Sequence, residues 1–223
     1  MFPTTSMDTL KIVYFVLGLS IVCSAFASCT KTKPEQLPRL GPYERIDGEK
    51  KYHPVRHFEL SNQNADTIRP ENLAGKIRVA DFFFISCPNI CPQLQAEMLR
   101  IFEVFSEEQR VVLLSHTIDP KRDSVEALAK YAYNLGISDA SRWHFLTGNR
   151  DSIYTLADDY FNIAVVDPSA EGGFDHSARI TVVDTDGYIR ATANGLVKAE
   201  VDDLIANIQL LLYEMDNNNT SPD

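Results

Sequence analysis

Two cysteines, Cys87 and Cys91, lie four positions apart in Ser86-Cys87-Pro88-Asn89-Ile90-Cys91-Pro92. On a helix that spacing brings both sulfurs to one face. At a helix N-terminus the macrodipole favours thiolate, so both thiols are expected to be partly activated. Pro88 and Pro92 suit a first turn, where a missing N–H costs little. Helical α-carbons at this spacing are roughly 6 Å apart, within disulfide range. The pair can therefore act as a redox couple or offer two soft donors to a metal ion. Two thiolates alone suit copper(I), whereas copper(II) prefers nitrogen donors as well. A structural disulfide is the plain alternative, although so short a loop gains little loop-closure entropy.

The chain has five histidines, and His176 stands apart from the rest. It sits in Gly172-Gly173-Phe174-Asp175-His176-Ser177, a loop just before a strand, where a side chain can reach out. By itself, a loop histidine more often has no ligand role than has one. His116 falls within a buried strand, and His144 stands beside Trp143 in an apolar one. His53 and His57 flank Pro54 near the start of the domain.

The elements that must position these residues follow from hydrophobic spacing. Residues 77–85 form a dense apolar run, short enough for a buried strand. From 93 to 105, Leu94, Met98, Ile101, Phe102 and Phe105 recur at three and four, which predicts a helix. Residues 111–118 read as a second buried strand. Asp123 or Ser124 caps a helix to about Asn134, with Gly136 as its stop. Trp143–Leu146 is a short strand and Arg150–Asp159 a helix. Residues 179–184 and 188–193 flank Asp186-Gly187, a strong hairpin turn. A closing amphipathic helix covers 198–213. Alternating strands and helices predict an α/β domain with a largely parallel sheet and helices on both faces. A hairpin followed by a last helix is the second half of a thioredoxin-like fold. The cysteines fall where the first long strand turns into the first long helix.

Composition narrows the class. The 223 residues are 44% hydrophobic and 23% charged, which excludes wholesale disorder, a collagen-like fibre and a polytopic membrane protein. With 21 basic and 31 acidic residues the formal net charge is −10, so no nucleic-acid partner is expected. Residues 12–22 are an apolar run behind Lys11, followed by Ala25-Phe26-Ala27-Ser28-Cys29. This is the layout of a secretory signal over 1–28, which would discard Cys23. Small residues directly before Cys29 resemble a bacterial lipoprotein processing site, with Cys29 as the lipidated first residue. An uncleaved anchor is the alternative, since residues 12–28 reach the lower edge of what spans a bilayer. Either reading places the domain outside the cytoplasm, at the cell envelope. Residues 29–43, with Lys31, Lys33, Pro34, Pro38 and Pro42, have the composition of a tether. The domain is expected over 44–215, followed by a polar tail over 216–223.

Four motifs resemble one known family. The segment from Phe82 to Pro92 resembles the Cys-Pro-x-x-Cys-Pro signature of the SCO/SenC family. Ile118–Asp123 resembles its Asp-Pro-x-Arg-Asp element, Trp143–Gly148 its Trp-x-Phe-Leu-Thr-Gly element, and Asp175-His176-Ser177 its Asp-His-Ser element. They occur in the family's order, and the likeness extends over most of 44–215. The resemblance implies a thioredoxin-like, membrane-tethered domain associated with copper delivery to the dinuclear copper centre of cytochrome c oxidase. The copper-receiving subunit of that oxidase would then be the partner. It further implies copper(I)/copper(II) ligation by Cys87, Cys91 and His176. Asp119, Arg122 and Asp123 are read as fixing a loop rather than binding metal. Asp175 either orients His176 as an acceptor or serves a turn.

Competing readings keep two classes open, a metallochaperone and a thiol–disulfide oxidoreductase that reduces a partner's copper-site cysteines. For the latter, Cys87 and Cys91 would be the catalytic redox pair. A zinc site of two Cys and one His also fits the residue types. Peroxidase activity is disfavoured because Phe84, not Thr or Ser, stands three residues before Cys87. If Cys29 is processed as expected, mass spectrometry of membrane-extracted protein will show a lipidated N-terminus at Cys29. An N-terminus at Met1, or cleavage elsewhere without lipid, would contradict it.

Overall fold

Strand β5 (Ile77–Phe83) is buried at every position, so its dense apolar run, interrupted by Arg78 and Asp81, reflects a strand covered on both faces. In this computed structural model residues 36–138 and 140–218 are described. The expected signal over 1–28, Cys29 and residues 219–223 lie outside them. After β5 come α1 (Ile90–Val104), β6 (Val111–Thr117), α2 (Val125–Asn134), β7 (Trp143–Leu146) and α3 (Arg150–Asp159). A short hairpin, β8 (Ala164–Val166) and β9 (Phe174–His176), precedes β10 (Arg179–Val183), β11 (Ile189–Asn194) and α4 (Lys198–Asn218). Upstream are two small hairpins, β1 (Tyr43–Ile46) with β2 (Glu49–Tyr52), and β3 (Leu60–Ser61) with β4 (Thr67–Ile68).

The main sheet has the order β11-β10-β5-β6-β7. β5, β6 and β7 run parallel, while β10 is antiparallel to both β5 and β11. It is the mixed sheet of a thioredoxin-like fold, with the expected hairpin and final helix. The parallel links require helical crossovers, and α1 and α2 supply them. Ser124 caps α2, its side chain accepting from Ala127 N. Asn149 caps α3 in the same way through Ser152 N.

Alternation along β5 sends its residues to two different layers. Asp81 faces α1, where Gln95 Nε2 donates to its carboxylate at 2.5 Å. Phe82 points the other way, stacked on His116 at 4.7 Å and edge-on to Tyr160 at the end of α3. His116 thus belongs to the core, as its strand position implied. The outer edge of β7 is closed by a side chain. Gln63 donates to Trp143 O at 2.8 Å and accepts from Phe145 N at 2.9 Å, as a neighbouring strand would.

From Leu37 onward the chain lies against the domain. Leu37 N donates to Glu214, Arg190 donates to Leu37 O, and Leu40 bridges to Ile189. Of the expected tail, residues 216–218 continue α4. No helix among the described residues is long and apolar enough to cross a membrane.

Two buried ionisable groups oppose each other in their pH dependence. Burial pushes His116 down to about 4, so it stays neutral while the unfolded chain takes up a proton below about 6.5. Its contribution is therefore complete above 6.5 and is lost as pH falls toward 4. Burial raises Asp81 to about 7, so the folded protein keeps a proton that the unfolded chain has released. Its contribution is complete below about 3.8 and is lost as pH rises toward 7. Each slope is at most about 1.4 kcal/mol per pH unit, and the two cancel between about 4 and 6.5. His116→Phe, which keeps the stack on Phe82, should lose stability from pH 4.5 to 6.5. Asp81→Asn should gain stability over the same interval. Urea unfolding of both variants at the two pH values checks the pair of signs.

Candidate metal centre

The cysteine loop begins where β5 runs out. Phe84 and Ile85 leave the sheet, Cys87 N donates back to Phe84 O at 3.2 Å, and α1 starts at Ile90. Cys91 is thus in the first turn of α1, while Cys87 sits in the turn before it. Their proximity comes from this tight turn and not from a shared helix face. Both are free thiols, with Cys87 9% and Cys91 2% exposed.

The third residue arrives from the other end of the domain. His176 ends β9, so it lies on a hairpin strand and not in the loop expected for it. Its Nε2 is 3.6 Å from Cys87 Sγ and 3.6 Å from Cys91 Sγ. All three donor atoms fall within 4.8 Å of one another, and no other such cluster occurs among the described residues. These separations suit a single ion. Metal–sulfur and metal–nitrogen bonds of about 2.3 and 2.0 Å, typical of zinc, reproduce 3.6 Å at an S–metal–N angle near 115°. That angle leaves room for a further ligand.

Packing holds the hairpin over the cysteine turn. Gly172 has φ +83°, and a Cβ there would lie 2.8 Å from Phe84 Cζ. Only a residue without a side chain fits. The Phe84 ring then contacts Phe174 at 5.0 Å and the His176 ring at 5.4 Å, edge-on. The Asp-Pro-x-Arg-Asp element braces both sides. Asp123 accepts from Ile85 N at 3.1 Å and from the Thr117 hydroxyl. Arg122 pairs with Asp119, lies over the Phe174 ring at 5.6 Å, and reaches Gly172 O at 3.4 Å. These three residues touch loops, and none joins the donor cluster. Beside the hairpin a cleft of about 860 Å³ opens between Pro120–Arg122, Val166 and Phe174. In the Trp-x-Phe-Leu-Thr-Gly element, Trp143 Nε1 donates to Ser115 Oγ at 2.9 Å. A Cβ on Gly148 would strike Leu60 at 2.7 Å, so both residues of that element serve packing.

At Cys91 the electrostatics differ from the expectation of an activated thiol. Burial pushes the Cys91 thiol well up, outweighing the Phe84 backbone hydrogen bond, with the Cys87 and Asp81 charges adding to the rise. His176 is pushed down, also by burial, against smaller opposing effects of Ser177 and Asp175. Its imidazole is therefore neutral at pH 7, the form that can ligate. Nδ1 is buried with no hydrogen-bond partner, and Asp175 is exposed, so Asp175 does not orient the ring through that nitrogen. The other histidines are engaged elsewhere. His53 pairs with Glu44, His57 with Glu71, and His144 contacts Asn62.

Comparison with known proteins places this geometry. The SCO1/SenC family profile matches residues 46–212. The chain belongs to the SCO1/SenC family. A SCO1 protein homolog of Bacillus subtilis is 31% identical over 157 residues, covering 70% of this chain and 81% of that protein. BsSco, a solved member of the Sco family of cytochrome c oxidase assembly proteins with a disulfide switch, superposes with a TM-score of 0.65. It is 28% identical and covers 79% of this chain and 98% of that one. Bradyrhizobium japonicum ScoI, solved with copper bound, shares the fold at a TM-score of 0.55 and 23% identity. That match covers 71% of this chain and 99% of that one.

The hairpin seat can be tested by filling it. Gly172→Ala should leave both thiols free but weaken metal binding roughly tenfold or more, because Phe84 or the hairpin must shift. Thiol counting with a chromogenic disulfide, alongside a competition titration against a metal chelator, separates the two effects.

Proposed function

We propose that this SCO1/SenC protein binds one copper ion through Cys87, Cys91 and His176 and delivers it to the dinuclear copper centre of cytochrome c oxidase. The observation that carries the reading is the convergence of two thiol sulfurs on one imidazole nitrogen at 3.6 Å each. Two sulfurs satisfy copper(I), and the imidazole adds the nitrogen donor that copper(II) favours. A site able to hold both states suits a carrier. His176, held neutral by burial, presents Nε2 without first losing a proton. Cys91 must give up its thiol proton as the ion enters, so uptake releases acid. With three protein ligands, one position stays open for a thiolate of the receiving subunit, which can enter and draw the ion off. The lipid on Cys29, or an uncleaved anchor, would tether the domain on the outer side of the membrane where that subunit is reached.

The reductase reading is less well supported by the same geometry. A disulfide reductase needs an accessible thiolate. Both sulfurs here are buried, and burial keeps Cys91 protonated. Such an enzyme also has no need of an imidazole supplied 85 residues later.

Cys87→Ser and Cys91→Ser should each abolish the sulfur-to-copper charge-transfer band of the copper(II) protein. His176→Ala should weaken copper(II) more than copper(I), which two sulfurs can retain. Copper transfer to an apo oxidase copper domain should fall in His176→Ala, while reduction of that domain's disulfide by the pre-reduced protein stays unchanged. Normal transfer by His176→Ala, or rapid disulfide turnover by wild type without copper, would favour the reductase. Competition with zinc in the same titrations settles metal preference.

A further inference from the structure

A carboxyl group lies beneath the cysteine pair, and nothing in the metal-site reading uses it. Asp81 is wholly buried on β5, on the sheet face covered by α1. Its Oδ1 accepts from Ser115 Oγ at 2.5 Å, and that hydroxyl accepts from Trp143 Nε1. Its Oδ2 accepts from Gln95 Nε2 at 2.5 Å. Gln95 follows Cys91 by four residues on α1, one turn along the same face. Every hydrogen-bond partner of the carboxyl is neutral. The titratable groups that feel it are Cys91 from α1 and Tyr131 from α2, while β6 and β7 present only Ser115 and Trp143.

We propose that the buried Asp81 carboxylate biases the Cys87–Cys91–His176 site toward copper(II) over copper(I). The inference rests on the copper reading above. Two thiolates and a neutral imidazole make the copper(II) site neutral and the copper(I) site singly negative. A second negative charge whose field reaches Cys91 through the poorly screening interior repels the copper(I) form. Over roughly 10 Å, with an effective dielectric constant of about 20, the repulsion changes the ratio of the two affinities about tenfold. The charge itself is conditional. Burial raises Asp81 to about 7, so the carboxylate is formed above that pH and neutralised below it. Coupling between the two charges is reciprocal. Reduction of the bound ion therefore takes one electron from the external donor and, near pH 7 to 8, draws at most about half a proton from solvent onto Asp81.

The test is the copper(II)/copper(I) midpoint potential of the singly loaded protein, measured with redox mediators from pH 6 to 8. In wild type the potential should fall as pH rises through about 7. In Asp81→Asn it should be independent of pH and, at pH 8, higher by most of the 60 mV or so that a tenfold ratio is worth for one electron. Gln95→Leu keeps the carboxyl but removes one donor to its ionised form, so the fall should begin at higher pH. That variant, with the wild-type profile, decides the matter even if Asp81→Asn does not fold. A wild-type potential flat across pH 6–8, or an Asp81→Asn potential equal to wild type at pH 8, would overturn the inference while leaving the copper site intact. A wild type that takes up no copper would overturn the copper reading and this inference with it.

Discussion

Contact between Gly172 and the ring of Phe84 ties together two parts of the chain that share no sequence neighbourhood. Phe84 directly follows the central strand, where the chain leaves the sheet for the cysteine turn. Gly172 lies in the connection between β8 and β9, just before the strand that ends in His176. Without a side chain at residue 172, backbone can rest on the ring, and the hairpin then runs so that the imidazole meets both sulfurs. Arg122 reinforces the seat from outside, through the Phe174 ring and the Gly172 carbonyl. Exposed ion pairs contribute little by themselves. Shape, more than charge, therefore holds the histidine in place.

The cost of this arrangement lies under the site. Two thiols, an imidazole and a carboxyl are packed where water hardly reaches, and burial shifts Cys91, His176 and Asp81 toward their uncharged forms. An incoming cation reverses that balance, because it replaces a thiol proton with a metal bond. The neutral ring accepts the ion at once, whereas Cys91 must first be deprotonated. Binding and acid release are linked for this reason. At Cys91 burial outweighs whatever the helix dipole contributes, and the thiol is pushed up.

The polar network around Asp81 illustrates how the fold tolerates such groups. Ser115, Trp143 and Gln95 come from β6, β7 and α1, so satisfying one carboxyl also locks three elements together. Gln63 does similar service at the outer edge of β7, where its amide occupies the hydrogen-bonding positions of an absent strand. Neither arrangement leaves a trace in hydrophobic periodicity.

The order of the main elements was legible because it depends on local rules. Apolar runs at 77–85 and 111–118, three-and-four spacing from Leu94 to Phe105, the Asp186-Gly187 turn and the Ser124 cap all report interactions within a few residues. Trp143–Leu146 and Arg150–Asp159 emerged with their limits unchanged. The cysteine pair and His176 were equally visible as residues, since four ordered motifs carried them. The small hairpins were not visible. β1 and β2 are mostly exposed and show no apolar alternation, and β8 and β9 have three residues each. Only the tertiary structure decided that His176 stands on a strand facing both sulfurs, that the thiols are buried, and that Asp81 lies beneath them. Those outcomes depend on contacts between residues from 81 to 176, and burial is a property of the whole packed domain that no local spacing encodes.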